Sequence, residues 1–428
     1  MSQLKGWLEK KSIFGTWSRR YLILLFSKLS IFKDSSSTIS EFDYELDSQT
    51  KVEASDSNDC ILKVIIQKPK LVTLILKASS NNEMIDWVFH LRRSAFASKT
   101  IYISMFNVIS LLGQGAHGKV MLCEKKDSKE IVAIKSVNKQ MLVETKKENS
   151  VLNEKMILAS IHNPFIINLK YAFQNDKYYF LALEYAPGGN LFNRLKNGKI
   201  PLSDIKLYVA ELAIAIHELH INHIIYRDLK PGNVMIGKDG HLKITDFGIS
   251  IFCEPNETKT EVCGTPEYIA PELILNKGYG YRVDWWGLGV LVYELLYKST
   301  PFAGLNNCYI FQSILNKEPV FPKNEDPVIV SFLSSLLQKD PSKRGGYRYI
   351  VSSEFMSDID FHQVYKKKIS PSYIPEINSI IDTSNFEKKY TGKKLCRSDS
   401  DIFSDQYSFM SDSQFDVFSF NCTNDDLE

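Results

Sequence analysis

Two short stretches decide the fold of this chain: YRDLKPGN at residues 226–233 and DFG at residues 246–248. The first follows a run with apolar residues at helical spacing, SDIKLYVAELAIAIHELH at 203–220, and the second begins thirteen residues beyond Asn233. The two stretches contain the carboxylates of Asp228 and Asp246, the Lys230 ammonium and the Asn233 amide. These groups are candidates for the catalytic chemistry of the protein.

A glycine-rich loop lies upstream, in ISLLGQGAHGKVML at 109–122. Gly113, Gly115 and Gly118 stand between two strand-like runs, and glycines at this spacing let main-chain amides approach a triphosphate closely. In dinucleotide-binding folds the same spacing leads into a helix, whereas here residues 120–122 continue as a strand. The loop therefore favours nucleotide phosphates bound between two strands.

A lysine and a glutamate follow this loop at informative positions. Lys135 lies in IVAIK, on a further strand fifteen residues after Val120, where its cation can meet the α- and β-phosphates. Glu154 lies in SVLNEKMIL at 150–158, a segment with inward-facing apolar residues at helical spacing. Because the ammonium needs a carboxylate to hold it in place, we predict an ion pair between Lys135 and Glu154.

Six motifs occur in order along the chain, and through them the sequence resembles the protein-kinase superfamily. They are GQGAHGKV (113–120), VAIK (132–135), YRDLKPGN, DFG, APE (270–272) and DWWGLG (284–289). The resemblance implies a two-lobed α+β kinase fold over residues 106–361, with ATP and Mg²⁺ as cofactors and protein hydroxyls as substrates.

The resemblance also implies roles for individual residues. Phosphoryl transfer needs positioning and charge neutralisation more than covalent help. Asp228 would accept the proton of the substrate hydroxyl, and Lys230 would neutralise charge on the γ-phosphate, while Lys135 and Glu154 complete the catalytic set. The metal-binding residues would be Asn233 and Asp246, whose oxygen atoms suit Mg²⁺. The implied nucleotide-binding residues are Leu112, Gly113, Gln114, Gly115, Ala116, His117, Gly118, Lys119, Val120, Ala133, Lys135, Glu184, Ala186 and Met235.

Further details are similar to one branch of that superfamily. Lys230 and Thr265 resemble the serine/threonine kinases, and Tyr226, CGTPEY (263–268) and HNPFI (162–166) resemble their AGC group. From residue 361 to 396 the chain is polar, with prolines at 371 and 375, which predicts an extended tether, and the stretch 398–428, with eight acidic residues and no Lys or Arg, is expected to be disordered unless docked. Within that last stretch, FDVFSF at 415–420 matches the hydrophobic motif of the AGC group. The match implies a tail over residues 362–428 whose aromatic pair fills a groove on the small lobe, with Ser419 as a phosphorylation site and an upstream kinase docking at the groove.

Some positions depart from the AGC pattern. The activation-loop threonine is replaced by Glu261, whose single charge can pair with Arg227 more weakly than a phosphate would, and Thr258 and Thr260 lie close by as alternative phosphorylation sites. Two acidic residues that read basic substrates are replaced by Asn190 and Gly232. Glu267 and Glu294 remain. We therefore expect a reduced or shifted preference for basic substrates.

The N-terminal hundred residues have a different pattern. Strand-like runs at 21–26, 29–32, 61–66 and 71–76 precede a helical segment at 82–94. LKGWLEKKSIFGTWSRRYLILL at 4–25 and Trp87 resemble the pleckstrin homology (PH) domain, which implies a small β-barrel capped by a helix over residues 4–97. The order of the parts, and so the fold class of an α+β multidomain protein, resembles the protein kinase B (Akt) family.

The PH resemblance implies a phosphoinositide site formed by Lys10, Arg20 and Lys33. Ser18 stands where a further basic residue is expected, and neighbouring Arg19 could partly replace it. Two alternatives stay open at this point. The PH domain can be a protein-binding module, or the whole chain can be a membrane-recruited scaffold with an inactive kinase fold, against which the intact catalytic residues argue.

Composition limits the remaining choices. The 428 residues are 44% hydrophobic and 24% charged, with a net charge of +2, which excludes a fully disordered chain and argues against nucleic acid as a partner. The seven cysteines are widely spaced, and no stretch of 18 apolar residues occurs. We expect a cytoplasmic, monomeric protein without a signal peptide or membrane span, recruited to the plasma membrane.

Overall fold

The computed structural model describes residues 3–12, 15–25, 28–37, 39–46, 50–55, 59–67, 71–97, 101–115, 118–392, 418 and 420–421. The chain forms two compact units, residues 1–101 and 102–428. Within the described ranges, no helix combines the length and the apolar character that crossing a bilayer requires.

The first unit is a seven-stranded antiparallel sheet followed by one helix. Its elements are β1 (Gln3–Lys11), β2 (Trp17–Leu25), β3 (Lys28–Phe32), β4 (Phe42–Glu45), β5 (Lys51–Ala54), β6 (Ile61–Ile66), β7 (Val72–Lys77) and α1 (Asn81–Ala97). The strand order is β4-β3-β2-β1-β7-β6-β5, so the short, charged strands β4 and β5 form the two edges. The four strands and the helix predicted from the sequence are confirmed.

The core of this unit lies between the sheet and α1. Leu22 and Leu24 of β2 are fully buried, as alternation along a half-buried strand requires. Trp87 of α1 is also buried, as predicted, and a Cβ atom at Gly6 would lie 3.5 Å from its Cζ2 atom. The indole ring therefore packs over β1 at the position with the smallest side chain.

The second unit begins with a six-stranded antiparallel sheet. Its strands are β8 (Phe106–Gln114), β9 (Gly118–Lys125), β10 (Ile131–Asn138), β11 (Leu169–Gln174), β12 (Tyr178–Glu184) and, from the end of the chain, β17 (Phe420–Asn421). Their order is β17-β11-β12-β10-β9-β8. Helices α2 (Lys139–Glu144) and α3 (Glu148–Ser160) lie between β10 and β11 in the chain. This small lobe is the strand-rich half of the predicted kinase fold.

The large lobe is mostly helical. Its helices are α4 (Leu191–Lys196), α5 (Leu202–Ile221), α6 (Pro271–Ile274), α7 (Arg282–Tyr297), α8 (Asn307–Asn316), α9 (Pro327–Leu336), α10 (Tyr347–Ser352) and α11 (Phe361–Tyr365). Two strand pairs are β13 (Ile224–Ile225) with β16 (Ile251–Phe252) and β14 (Val234–Ile236) with β15 (Leu242–Ile244), and β13 and β15 lie against α5. The loop from β13 to β14 carries YRDLKPGN, and DFG follows β15.

A buried ion pair connects two parts of the large lobe. Arg344 donates from Nη1 and Nη2 to the two carboxylate oxygens of Glu272, at 2.6 and 2.8 Å. Both side chains are almost completely removed from solvent. A bidentate pair of this kind is geometrically specific, so it fixes the APE segment on the lobe.

The segment after the large lobe is more structured than predicted. We expected an extended tether from residue 361 to 396, but α11 occupies its start, and Ser372 binds Asp204 through its main-chain N–H (2.9 Å) and its hydroxyl (2.6 Å). A further short helix, α12, covers Lys388–Thr391. Specific polar contacts that join distant residues, not local propensity, hold this segment. Most of the acidic stretch 398–428, predicted to be disordered unless docked, lies outside the described residues.

Candidate active site

Hydrogen bonds to a buried aspartate fix the main chain of the YRDLKPGN loop. Asp284, at the start of α7 and 2% exposed, accepts hydrogen bonds from the N–H groups of Tyr226 (2.9 Å) and Arg227 (2.8 Å). Arg227 has a φ of 72° and Asp246 a φ of 58°, which for residues other than glycine costs about 1–3 kcal/mol each. Asp284 therefore positions a strained loop. Asp284 lies in the motif DWWGLG, but its support of the loop could not be predicted from that motif.

The carboxylate of Asp228 is the centre of a hydrogen-bonded network. Its Oδ2 accepts from Lys230 Nζ at 2.7 Å and from Asn233 Nδ2 at 2.8 Å. Its Oδ1 accepts from the Thr265 hydroxyl at 2.7 Å, and Lys230 Nζ also donates to that hydroxyl oxygen at 2.7 Å. These bonds fix the carboxylate in one orientation beside a lysine cation.

Lys135 lies between two carboxylates. Its Nζ is 2.8 and 2.9 Å from the two carboxylate oxygens of Glu154 on α3, and 2.8 Å from Oδ1 of Asp246. Glu154 is buried, whereas the Asp246 side chain is about half exposed. The structure thus brings together the predicted lysine–glutamate pair and the DFG aspartate, where the two lobes meet.

These contacts set the charge states of the cluster. Burial alone would lower the pKa of the Lys135 ammonium, but the carboxylates of Asp246 and Glu154 outweigh it, and the pKa lies above its usual value. The Lys135 charge lowers the pKa of Asp246 despite partial burial. Burial raises the pKa of Glu154, and the ammonium opposes that rise. Lys135 and Asp246 are therefore both charged at neutral pH.

The glycine loop joins β8 to β9, and its glycines differ in the space around them. A Cβ atom at Gly113 or Gly115 would meet nothing within 4 Å, so both leave open space above the sheet. A Cβ atom at Gly118 would lie 1.7 Å from the carbonyl oxygen of Ser136 on β10. The first two glycines thus fit the predicted approach of a phosphate group, whereas Gly118 is required by close contact between two strands.

An apolar cluster lies next to this loop, on strands β8, β9 and β10. Its buried residues are Leu112, Leu122 and Ala133, and Val120, Tyr185 and Phe386 are among those that pack against them. The Phe386 ring, from the C-terminal segment, stacks on the Tyr185 ring with centroids 5.8 Å apart, and the Tyr185 hydroxyl donates to the carbonyl oxygen of Asp382. Leu122, Tyr185 and Phe386 are not among the nucleotide-binding residues predicted from the sequence.

The other predicted nucleotide-binding residues have less direct positions. The Glu184 carboxylate accepts from Lys243 Nζ and Asn168 Nδ2, both at 3.0 Å, so its main chain is the part that a nucleotide can meet. Ala186 is buried and Met235 partly buried in the large core. Gln114 is exposed and Lys119 is partly exposed, and Ala116 and His117 lie outside the described residues.

These residues fit a nucleotide with a divalent cation. The Asn233 Nδ2 group donates to the Asp228 carbonyl and to the Asp228 carboxylate. The Asn233 Oδ1 atom is therefore the atom of this side chain that can bind a cation, and the Asp246 carboxylate is a second ligand. Among the described residues no group of three or more acidic, histidine or cysteine side chains could hold a metal ion by itself. Mg²⁺ is commonly bound by one or two carboxylates and substrate phosphates, so this ligand set is consistent with a metal that arrives with ATP.

The predicted regulatory pair is in contact. Glu261 Oε2 lies 3.1 Å from Arg227 Nη1, with the arginine side chain buried and the glutamate side chain 68% exposed. Arg227 also donates from Nε to the Ile249 carbonyl at 2.6 Å and from Nη1 to the Tyr279 hydroxyl at 2.8 Å. The buried guanidinium therefore links the catalytic loop to the activation segment, with Glu261 at its exposed end.

A groove next to Lys230 contains both retained acidic residues. Phe192, Gly232, Glu267 and Glu294 line it. Glu267 accepts from the Thr300 hydroxyl at 2.8 Å, and Glu294 accepts from the Tyr268 hydroxyl. Asn190 caps α4 by accepting from the Asn193 N–H at 2.9 Å. The groove thus has two fixed carboxylates and, at Gly232, no side chain at one of the two lost acidic positions, while Asn190, at the other, is a neutral helix cap.

The small lobe binds part of the predicted hydrophobic motif. Phe418 is fully buried, with its ring centroid 4.6 Å from that of Tyr179, and Phe420 pairs with Ala172 on β11. Residues 415–417 and Ser419 lie outside the described residues. An aromatic side chain of the motif thus fills a groove on the small lobe.

In the first unit, the predicted basic residues lie on neighbouring strands. Lys10 of β1 and Arg20 of β2 are diagonal cross-strand neighbours on one face, and exposed Lys33 directly follows β3. Lys10 Nζ lies 3.9 Å from the centroid of the Phe42 ring, and Arg20 Nε lies 2.6 Å from Oε2 of Glu41. The sequence analysis did not foresee an acidic side chain at this place.

Arg19 does not join this group. Its guanidinium lies 4.8 Å from the ring of Trp7, and adjacent strand residues point to opposite faces. Ser18 donates weakly to the Lys10 carbonyl at 3.4 Å. The suggestion that Arg19 partly replaces a basic residue at position 18 is therefore not supported by the geometry.

Comparison with known families agrees with both units. The protein kinase domain family matches residues 106–356, and the PH domain family matches residues 3–96.

Several characterised proteins are similar to the chain. The RAC family serine/threonine-protein kinase homolog of Dictyostelium discoideum is 33% identical over 403 residues, which cover 90% of each chain. The serine/threonine-protein kinase gad8 of Schizosaccharomyces pombe is 40% identical over 304 residues, and YPK2/YKR2 of Saccharomyces cerevisiae is 37% identical over 302. The matched residues cover 69% of the present chain in both cases, but only 53% of gad8 and 45% of YPK2/YKR2.

Proposed function

Because this chain belongs to the protein kinases, as a serine/threonine kinase of AGC type with an N-terminal PH domain, we propose that it phosphorylates protein substrates from MgATP at a membrane containing phosphoinositides. The observation that carries the catalytic half is the double contact of Lys135 with Glu154 and Asp246. This contact places a cation for the nucleotide phosphates next to a carboxylate for the metal. The arrangement supports an active kinase and argues against an inactive scaffold.

The proposed chemistry divides among the residues of this chain. MgATP, when bound, supplies the phosphoryl group and a cation that offsets its charge. Asp228 accepts the proton of the substrate hydroxyl, because its carboxylate is fixed beside Lys230, which neutralises charge on the transferred group. Asn233 and Asp246 hold the metal, and Lys135 orients the phosphates.

This apolar cluster is the proposed lining of a site for the adenine ring, to which Leu112, Ala133 and Phe386 supply flat or small apolar surfaces. The Glu184 N–H already donates to the Asn168 carbonyl at 2.9 Å, so the Glu184 carbonyl, at the end of β12, is the proposed hydrogen-bonding group. The glycines of the loop then lie next to the phosphates. We propose the nucleotide-binding residues of the sequence analysis together with Leu122, Tyr185 and Phe386.

We propose that substrates are serine or threonine residues in sequences with fewer basic neighbours than basophilic AGC kinases select. Glu267 and Glu294 can receive one cationic side chain in the groove, whereas Asn190 offers a neutral amide that is already used as a helix cap. The Thr265 hydroxyl contacts both Asp228 and Lys230, which is the arrangement expected near an aliphatic hydroxyl substrate.

The activation segment offers a direct test of this kinase activity. Glu261 and Arg227 are in contact without phosphorylation, so wild-type protein made in bacteria is expected to phosphorylate serine and threonine peptides on an array. Glu261→Ala is expected to lower that rate by about two- to five-fold, the effect of one exposed ion pair. Glu261→Thr is expected to depend on an added upstream kinase, because a neutral hydroxyl holds Arg227 only once it is phosphorylated.

Glu257→Ala is a matched control for this experiment. Glu257 lies in the same segment and pairs with Lys259, away from Arg227. Equal rates for Glu261→Ala and wild type, with no response of Glu261→Thr to the upstream kinase, would refute the regulatory role. Control would then be sought at Thr258, Thr260 or Ser419.

For the PH domain we propose binding to phosphoinositide headgroups through Lys10, Arg20 and Lys33, and thereby recruitment of a cytoplasmic monomer to the plasma membrane. Arg20→Ala is expected to weaken binding to phosphoinositide vesicles by about ten-fold or more, because charge-assisted bonds to phosphate are lost. Sedimentation with vesicles at two salt concentrations measures this, and the difference is expected to shrink at high salt.

Arg19→Ala is the matched control, since it removes the same charge one residue away on the opposite face. If wild type binds vesicles no better than Arg20→Ala at low salt, the PH domain is a protein-binding module.

For the tail we propose that phosphorylation of Ser419 strengthens the docking of Phe418, and that the same groove receives an upstream kinase.

A further inference from the structure

The basic site of the PH domain contains an acidic side chain of the domain itself. Arg20 Nε donates to Glu41 Oε2 at 2.6 Å, and Arg20 Nη1 donates to the Arg19 carbonyl at 3.0 Å. Both partners of the ion pair are partly buried, with 25% and 32% of their side chains exposed. The guanidinium, which has five N–H donors, is therefore already bound to a carboxylate at the place proposed for a phosphate.

The main chain delivers this carboxylate to its position. Glu41 lies directly before β4, and its N–H donates to the Ile31 carbonyl of β3 at 2.7 Å. The next residue, Phe42, lies beneath the Lys10 ammonium. One short segment thus contacts both Lys10 and Arg20, and its hydrogen bond to β3 keeps the Glu41 main chain close to the arginine.

The charges around Arg20 favour an anion with more than one negative charge, even with Glu41 in place. Burial and then the positive charge of Arg20 lower the pKa of Lys10, and Glu41 only partly offsets this. Two cations therefore share a single negative charge. A phosphate monoester carries about −1.5 to −2 charges and three acceptor oxygens, and so it can satisfy both cations at once.

We infer that Glu41 is a specificity-determining residue of the lipid site: it competes for Arg20, so that polyphosphorylated inositol headgroups displace it and singly charged lipids do not. The inference rests on the proposed binding of phosphoinositides. A tethered carboxylate acts at an effective concentration of about millimolar order, and it matches a monoanionic headgroup in charge and geometry. Specificity arises here because the weaker ligand is excluded, in addition to attraction of the stronger one.

Glu41→Gln tests this inference. Full-length protein is sedimented with phosphatidylcholine vesicles that contain either phosphatidylserine or phosphatidylinositol trisphosphate. The variant is expected to bind phosphatidylserine vesicles about two- to five-fold more tightly than wild type, with a smaller gain on the trisphosphate vesicles. The selectivity ratio therefore falls. A soluble inositol polyphosphate, measured by calorimetry, distinguishes headgroup binding from binding to the bilayer.

Two further variants make the result specific. Glu53→Gln removes the same charge from an exposed pair with Lys63 in the same domain, and it is expected to leave the ratio unchanged. The effect of Glu41→Gln is expected to vanish in the Arg20→Ala background, as coupled residues require. An effect that persists there, or one that equals the effect of Glu53→Gln, overturns the inference.

A failure of the proposed membrane recruitment gives a different result in these assays from a failure of the role inferred for Glu41. If wild type binds trisphosphate vesicles no better than pure phosphatidylcholine vesicles, the proposed recruitment is wrong and the inference falls with it. If wild type binds and Arg20→Ala does not, while Glu41→Gln matches Glu53→Gln on both kinds of vesicle, recruitment stands and only the role of Glu41 is wrong.

Discussion

Asp228→Asn is expected to reduce kcat by about 10²–10⁴-fold, the usual range for loss of a general base, while the protein remains folded. The amide has the size of the carboxylate but cannot accept the proton of the substrate hydroxyl. It also carries an NH₂ group into a network in which Lys230, Asn233 and Thr265 all donate to position 228. Rapid-quench measurement of phosphopeptide formation at saturating ATP gives kcat directly.

Asp358→Asn is the control for Asp228→Asn. It removes a surface carboxylate that pairs with Lys206 at 2.8 Å on the same lobe. Circular dichroism on heating shows whether each variant folds. Turnover of Asp228→Asn within two-fold of the control would show that Asp228 is not the base.

Lys135→Met is expected to lower kcat by about 10²–10³-fold, the effect of losing one charged group at a reacting phosphate. It also leaves buried Glu154 without its principal partner, so the free energy of unfolding is expected to fall by about 3 kcal/mol at neutral pH. Kinase assays and urea unfolding measure the two effects separately.

The pH dependence of this variant gives an independent test. Burial already raises the pKa of Glu154, and removal of the ammonium takes away the largest opposing influence. The folded state then binds more protons than the unfolded state, so the stability of Lys135→Met is expected to fall as pH rises through the window between the two pKa values. Lys129→Met, which breaks an exposed pair with Glu124, is the control. A pH profile parallel to that of the control would contradict the pairing of Lys135 with Glu154.

The active-site motifs could be predicted from the sequence because each combines a rare spacing with a chemical requirement. The pairing of Lys135 with Glu154 could be predicted although they are distant in the chain, because a phosphate-binding lysine needs a carboxylate partner. The structure places oxygens of Glu154 and of Asp246 within 2.9 Å of the Lys135 Nζ atom. The contact with Asp246 was not predicted, since the family resemblance implied only a metal-binding role for that carboxylate.

Other features could not be predicted, for physical reasons. Strands β4 and β5 are short, charged sheet edges. β4 has three exposed positions and no buried one, and β5 has a single buried position, so neither strand carries an alternation pattern. Gly118 has the same appearance in the sequence as Gly113, and only the approach of β10 reveals its different role. Glu41 ends the polar stretch 34–41, and no local pattern shows that its carboxylate reaches β2.

The position of Phe386 has a consequence for protein synthesis. The ribosome makes Leu112 of the apolar cluster about 270 residues before Phe386, which packs on that cluster and on the Tyr185 ring. At about 5–20 residues per second, an interval of about 15 to 55 seconds separates the two. During that time a nascent chain can fold its small lobe, but the adenine site proposed at this cluster lacks the Phe386 ring. We therefore expect the chain to reach its full affinity for ATP only late in translation, after the large lobe has emerged.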